Sequence, residues 1–243
     1  MGIVRMGPPH ELIKSLATDF SIHTFIETGT YHGDTAIWAS QYFQKVFTIE
    51  YSKELYEHAI QRVQQISNIE CIFGDSRDEL PKILPRLEGS SLFWLDAHWS
   101  GQSTYGEADE CPLLDEIKIL KTSSFNDFIF IDDARLFTSP PPAPHKIEAW
   151  PNITAIIHEL HDGDNERYIV IIEDEIIAVP GFAKALLAQY CQAVNTKAWE
   201  EYGRQLKTSE FQQGAQLLWN VVRRKSGNLS RKLFAKKSDR EEV

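Results

Sequence analysis

The sequence predicts an α/β fold, a parallel sheet covered by helices on both faces and finished by an antiparallel hairpin, and three observations carry that prediction. Short runs rich in Ile, Val and Phe alternate with helical patterns from Thr24 to Ile131, the signature of strands buried on both faces. The first of these runs passes straight into a glycine-spaced turn and then a helix. Two later runs, Tyr168 to Ile172 and Ile176 to Val179, lie too close for a crossover helix, so only a hairpin can join them.

Taken in order, Glu11 to Ala17 is a lead-in helix, and the strands are Thr24 to Glu27, Lys45 to Glu50, Ile69 to Gly74, Ser91 to Asp96 and Asp127 to Ile131. Helices at Asp34 to Phe43, Lys53 to Gln65, Arg77 to Leu84 and Pro112 to Lys121 fill the intervals. A Pro-rich loop, Ser139 to Pro144, leads through a helix near Asn152 to His161 into the hairpin. Phe182 to Arg224 reads as two amphipathic helices carrying Leu186, Leu187, Tyr190, Trp199, Phe211, Leu217, Leu218 and Trp219. One domain over residues 1–222 is expected, followed by a basic tail over 223–243.

With 243 residues the chain can bury a substantial core. A net charge of -10 argues against nucleic acid as the main partner. Cys71, Cys111 and Cys191 are too scattered for a disulfide framework or a zinc site. No run is long and apolar enough for a bilayer and no signal peptide is evident, so a cytoplasmic protein without a membrane partner is expected.

The turn reads Glu27-Thr28-Gly29-Thr30-Tyr31-His32-Gly33. Gly29 and Gly33 allow a tight bend and a close ligand approach. A dinucleotide fingerprint needs a glycine where Tyr31 stands, and the carboxylate of Glu27 would repel a pyrophosphate. The same acid suits a ligand with an amino group and a sulfonium. Glu50 follows at about 20 residues, the offset at which an acid reaches ribose hydroxyls. Gly74-Asp75-Ser76 comes next, where Asp75 or Ser76 equally suits an N-cap for the following helix.

These residues resemble the motifs of the class I S-adenosylmethionine-dependent methyltransferases, and the five-plus-two strand pattern resembles their Rossmann-like seven-stranded sheet. The resemblance implies S-adenosylmethionine as cofactor, held by Glu27, Thr28, Gly29, Thr30, Gly33, Glu50, Asp75, Ser76 and Asp96.

Acids recur at the carboxyl ends of the strands, where ligands bind in open α/β sheets. Asp96-Ala97-His98 and Asp132-Asp133 sit on neighbouring strand ends, and three carboxylates above one sheet need a counterion. Oxygen donors in that number suit Mg²⁺. Here the resemblance narrows to metal-dependent, macrocin-type O-methyltransferases acting on hydroxyls of natural-product sugars. It implies Asp96, Asp132 and Asp133 as metal ligands, with catalysis by Asp96 and His98. An imidazole near its ordinary pKa of roughly 6.5 can accept a hydroxyl proton; the alternative role for His98 is a fourth ligand, and for the Asp trio, helix caps and surface ion pairs.

Trp99 to Glu107 forms a polar loop long enough to fold over a substrate, and Tyr105 and Arg135 are candidate substrate contacts. The expected acceptor is a small-molecule or sugar hydroxyl, and a homo-oligomer is compatible with the sequence. The rival readings are an NAD-dependent dehydrogenase and a non-catalytic binding module that keeps the fold. The tail holds Arg223, Arg224, Lys225, Arg231, Lys232, Lys236, Lys237 and Arg240, a solvated end or the mark of an anionic partner.

Overall fold

A computed structural model of the chain describes residues 7–99, 109–161, 166–207, 212, 214–221 and 223. Contacts group the chain into two compact units, Met1–Tyr190 and Cys191–Val243.

The first unit holds one seven-stranded sheet in the order β3-β2-β1-β4-β5-β7-β6. Strands β1 (Thr24–Thr28), β2 (Lys45–Glu50), β3 (Ile69–Phe73), β4 (Leu92–Leu95) and β5 (Phe128–Ile131) are parallel. The hairpin of β6 (Arg167–Ile172) and β7 (Glu175–Pro180) inserts β7 antiparallel against β5. Its two-residue turn puts Glu173 at φ 50 and Asp174 at φ 74, the left-handed pair that matches the twist of a tight hairpin. The fold class therefore stands as the sequence predicts it.

Burial explains why these runs became strands. Every residue of β4, β5 and β7 is buried, as expected of Phe, Ile and Val runs covered on both faces. Side chains alternate between the faces. Ile26, Phe93, Ile129 and Ala178 pack with Leu80 and Ile83 of α4 (Ser76–Ile83), Ile117 and Leu120 of α5 (Leu113–Leu120), and Ile156 and Leu160 of α7 (Ile153–His161). On the other face Phe25 meets Trp38 of α2 (Asp34–Ala39) and Phe43, while Phe128 meets Phe20 at the end of α1 (His10–Asp19). Each such side chain contributes about 2 kcal/mol by leaving water.

Local chemistry sets the helix ends. Ser52 caps α3 (Lys53–Val63) by accepting from Leu55 N, and Asp75 caps α4 by accepting from Arg77 N, each satisfying a backbone donor that the first turn leaves free. Helix α2 stops at Ala39, short of the expected Phe43. A short helix, α6 (Arg135–Thr138), follows β5 ahead of the Pro-rich loop, in a stretch to which the sequence assigned no element.

Helix α8 (Lys184–Lys207) runs from the first unit into the second. Leu187 is buried and Leu186 and Tyr190 are partly so, but Trp199, Leu217, Leu218 and Trp219 stand exposed. Phe211, also expected on these helices, lies outside the described residues. No described helix is long and apolar enough to cross a membrane.

Candidate active site

The carboxyl ends of β1 and β4 face the crevice where the strand order reverses, the general binding position in open α/β sheets. Backbone hydrogen bonds continue one step beyond the strands: Gly29 N donates to Ile49 O, Gly74 N to Glu50 O, Asp96 N to Thr28 O and Asp132 N to Leu95 O. That extra step sets the glycine bend and the strand-end acids side by side along one rim.

The bend is a shape only glycine fits. Gly29 has φ 87, and a Cβ there would lie 2.4 Å from the Asp96 carbonyl oxygen. Gly33 has φ 79 and precedes α2. Tyr31 takes φ 48 with its ring more than half exposed and against His32, so it leaves the bend open.

Two acids flank the bend. Glu27 is buried and accepts from Thr48 Oγ1 at 2.6 Å, and Thr48 in turn shares a 2.6 Å hydrogen bond with Thr30. Burial pushes the Glu27 carboxyl up to about 8, against the Thr48 hydrogen bond and with help from the charge of Asp96. Glu50 accepts from Tyr31 N at 2.9 Å and Ser52 N at 2.8 Å; burial still raises it above the ordinary carboxylate range. Asp75 is gripped by Arg77, Nη2 to Oδ2 at 2.7 Å, and Arg77 also reaches Asp109 at 2.6 Å. The N-cap role of Asp75 is thus present in the structure, while Ser76 turns into the interior.

The second group centres on His98, which is buried between two of the three aspartates. Its Nε2 lies 3.0 Å from Asp133 Oδ2 and its Nδ1 3.5 Å from Asp96 Oδ1. Burial alone would lower the imidazole pKa, but the Asp133 hydrogen bond and the charges of Asp96, Asp133 and Asp132 outweigh it and raise it. Burial pushes Asp96 up to about 8, with His98 opposing and Asp132 and Asp133 adding, and pushes Asp132 up to about 6, with Asp133 adding. Asp133 goes the other way: burial is outweighed by His98 and Arg135.

Asp133 itself has φ 58, a left-handed conformation that Asp tolerates better than most residues. Arg135, a candidate substrate contact, pairs with Asp133 at 2.6 Å and with Asp174 and stays partly exposed. Among the described residues no group of three or more His, Cys, Asp or Glu is arranged to hold a metal ion. The donor chemistry nonetheless suits a hard cation: Asp96 and Asp132 are held up by burial and by the neighbouring negative charges, which the charge of His98 offsets only in part, while Asp133 has both His98 and Arg135. Tyr105 and most of the predicted loop over the site lie outside the described residues.

Three contributors escaped the sequence reading. Asp174, from the hairpin turn, accepts from Arg135 N at 2.9 Å and fixes the start of α6. Glu110, almost fully buried, accepts from Trp150 Nε1 at 2.6 Å, Lys146 N at 3.1 Å and His145 Nδ1 at 3.2 Å. It thereby ties the Pro-rich loop beside His98, whose ring stands edge-on to Trp150 at 5.4 Å. Glu116 lies buried beneath the rim. The only local signal for any of them was a carboxylate beside an apolar run.

No protein-family model and no curated protein matches the sequence. Solved structures do match. A Staphylococcus aureus protein described as a caffeoyl-CoA O-methyltransferase superposes with a TM-score of 0.52 at 15% identity, over 73% of this chain and 86% of that one. An O-methyltransferase from Bacillus cereus in complex with S-adenosylhomocysteine gives 0.51 at 17% identity, over 72% and 82%. A Podospora anserina methyltransferase, also bound to S-adenosylhomocysteine, gives 0.50 at 17% identity, over 72% and 79%. The glycine bend, the strand order and the inserted hairpin thus belong to a chain with the fold of the O-methyltransferases.

Proposed function

We propose that the protein is an S-adenosylmethionine-dependent methyltransferase acting on a hydroxyl of a small molecule, with a sugar as the preferred acceptor. The observation that carries the reading is the line of acids, Glu27 and Glu50 buried and Asp96 partly exposed, around a bend at Gly29 closed to any side chain. Acids along this rim ionise more readily beside an incoming cation, which lowers their pKa, whereas an incoming pyrophosphate would raise it further. That preference separates a sulfonium donor from a nicotinamide dinucleotide. The bound S-adenosylhomocysteine of the two structural neighbours agrees with it.

In this reading Glu27 and the backbone of Thr28, Gly29, Thr30 and Gly33 receive the amino-acid end of the cofactor. Glu50 takes the ribose hydroxyls, and Asp75 and Ser76 border the adenine. The bound cofactor supplies an electrophilic methyl group. His98 is the base: its Nε2 is anchored on Asp133, which leaves Nδ1, on the Asp96 side, to accept the acceptor's hydroxyl proton. Asp96, Asp132 and Asp133 are the donors for a Mg²⁺, which when bound would lower the pKa of the acceptor hydroxyl.

Calorimetric titration with S-adenosylmethionine, S-adenosylhomocysteine and NAD, followed by transfer of labelled methyl to a panel of polyols and phenols, tests the reading. Binding of the first two without NAD, and label in a hydroxyl acceptor, are expected. NAD binding alone would establish the dehydrogenase alternative; donor binding with no transfer to any acceptor would leave only a binding module.

A further inference from the structure

Three buried polar atoms below the rim make no hydrogen bond of ordinary geometry, Oγ1 of Thr28, Oγ of Ser76 and Oε1 of Glu116, yet the two hydroxyls lie close enough to the Glu116 carboxyl to act on it as donors. Thr28 ends β1 directly before Gly29, Ser76 opens α4 directly after Asp75, and Glu116 rises from α5. Both hydroxyls therefore sit at the roots of the two turns assigned to the cofactor. Glu116 is 1% exposed. Glu116 also lines, with His98, Leu95, Leu113 and Phe137, a mostly apolar cavity with room for about one water.

An acid in such a place is costly unless something compensates it. Burial pushes Glu116 up to about 7, opposed only in part by Ser76, Thr28 and the charge of His98, and reinforced by the charge of Asp75. Packing does not require it, since a methionine would fill the same volume on α5. What would favour the carboxylate is a positive charge arriving on the turns above.

We propose that Glu116 is a positioning residue through which the site distinguishes the sulfonium donor from the thioether product. The proposal rests on the methyl-transfer reading. Transfer forms the acceptor O–CH₃ bond and breaks the S–CH₃ bond. The electron pair of the broken bond stays on sulfur, and the hydroxyl proton goes to the base. Sulfur thereby loses its positive charge. A Glu116 carboxylate accepting from Thr28 and Ser76 stabilises the cofactor turns against that charge before transfer and ceases to do so afterwards, which favours exchange of product for fresh donor.

The test is titration of the full chain and of Glu116→Gln with S-adenosylmethionine and S-adenosylhomocysteine. Gln keeps the size and the hydrogen-bonding atoms but not the charge. A donor-induced change of about one pKa unit in Glu116 corresponds to about tenfold in the affinity ratio, so the ratio of donor to product affinity should fall about tenfold in Glu116→Gln. Product affinity should stay within about twofold, and Glu116→Asp should restore part of the ratio. Glu116→Met gives the same readout if the Gln variant does not fold. An unchanged ratio, or equal weakening of both ligands, would reduce Glu116 to a structural residue and overturn the proposal. Failure of wild-type protein to bind either ligand would instead overturn the methyl-transfer reading and this inference with it.

Discussion

The backbone N–H of Tyr31 donates to Oε2 of Glu50 at 2.9 Å, across 19 residues of sequence. This bond ties the glycine bend of the first strand to the acid that ends the second. It also accounts for the tyrosine at a position where a glycine is common in nucleotide-binding turns: the main chain faces the acid at φ 48, and the ring points outward.

Glu50→Gln should weaken binding of S-adenosylhomocysteine by about 10- to 100-fold, the scale of losing hydrogen bonds to a charged acceptor. Titration calorimetry measures it. Affinity within twofold of wild type would remove Glu50 from the cofactor site.

Gly29→Ala should destabilise far more than Gly33→Ala. At Gly29 a methyl group meets the Asp96 carbonyl oxygen at 2.4 Å, whereas at Gly33 it meets only the Val63 side chain at 3.3 Å. Both pay the left-handed penalty of about 1 kcal/mol, but only the first forces backbone apart, for about 3 kcal/mol or more. Denaturant midpoints of the two variants decide it.

Folded Glu27 keeps its proton up to about pH 8, whereas the unfolded group loses it near 4.5. Its contribution to stability is therefore complete below about 4.5 and is lost as pH rises through about 8. Asp96, raised to about 8, acts in the same direction. The wild-type melting temperature should fall between pH 5 and 8.5, and Glu27→Gln should make that fall shallower; an equal slope in both would refute the assignment.

His98→Gln should slow methyl transfer by roughly 100-fold or more, the usual scale for a lost general base. Asp132→Asn, or chelation of the wild-type enzyme with EDTA, should abolish turnover while cofactor affinity stays within a few-fold. Full single-turnover rates in EDTA would argue against the magnesium role.

Glu110→Ala should cost about 3 kcal/mol, because it strands the Trp150 indole N–H and the Lys146 amide in the interior. Thermal melts followed by Trp fluorescence would show the loss, and Glu110→Gln should be milder.

The sheet was legible because its signals are local. Each run of Ile, Val and Phe announces a buried strand by itself, and Glu173-Asp174 lies between two such runs at hairpin spacing. The acids at the strand ends were legible for the same reason, since a strand's last residue has to lie on the rim. Glu110 was not, because its partner Trp150 is 40 residues away, and spacing says nothing about which loops meet. Asp174 reaches Arg135 only because β7 inserts beside β5. In the C-terminal helices, periodicity identified Trp199 and Trp219 as members of apolar faces but could not say whether anything covers them.

The position of β7 also governs how the protein is made. Although β7 is synthesised last among the strands, it lies between β5 and β6 rather than at a border. A nascent chain emerging from the ribosome consequently leaves the flank of β5 open until residue 180 is available. Premature termination before that point would produce a chain with an unpaired apolar border, the kind of surface on which polypeptides associate wrongly and on which chaperones act.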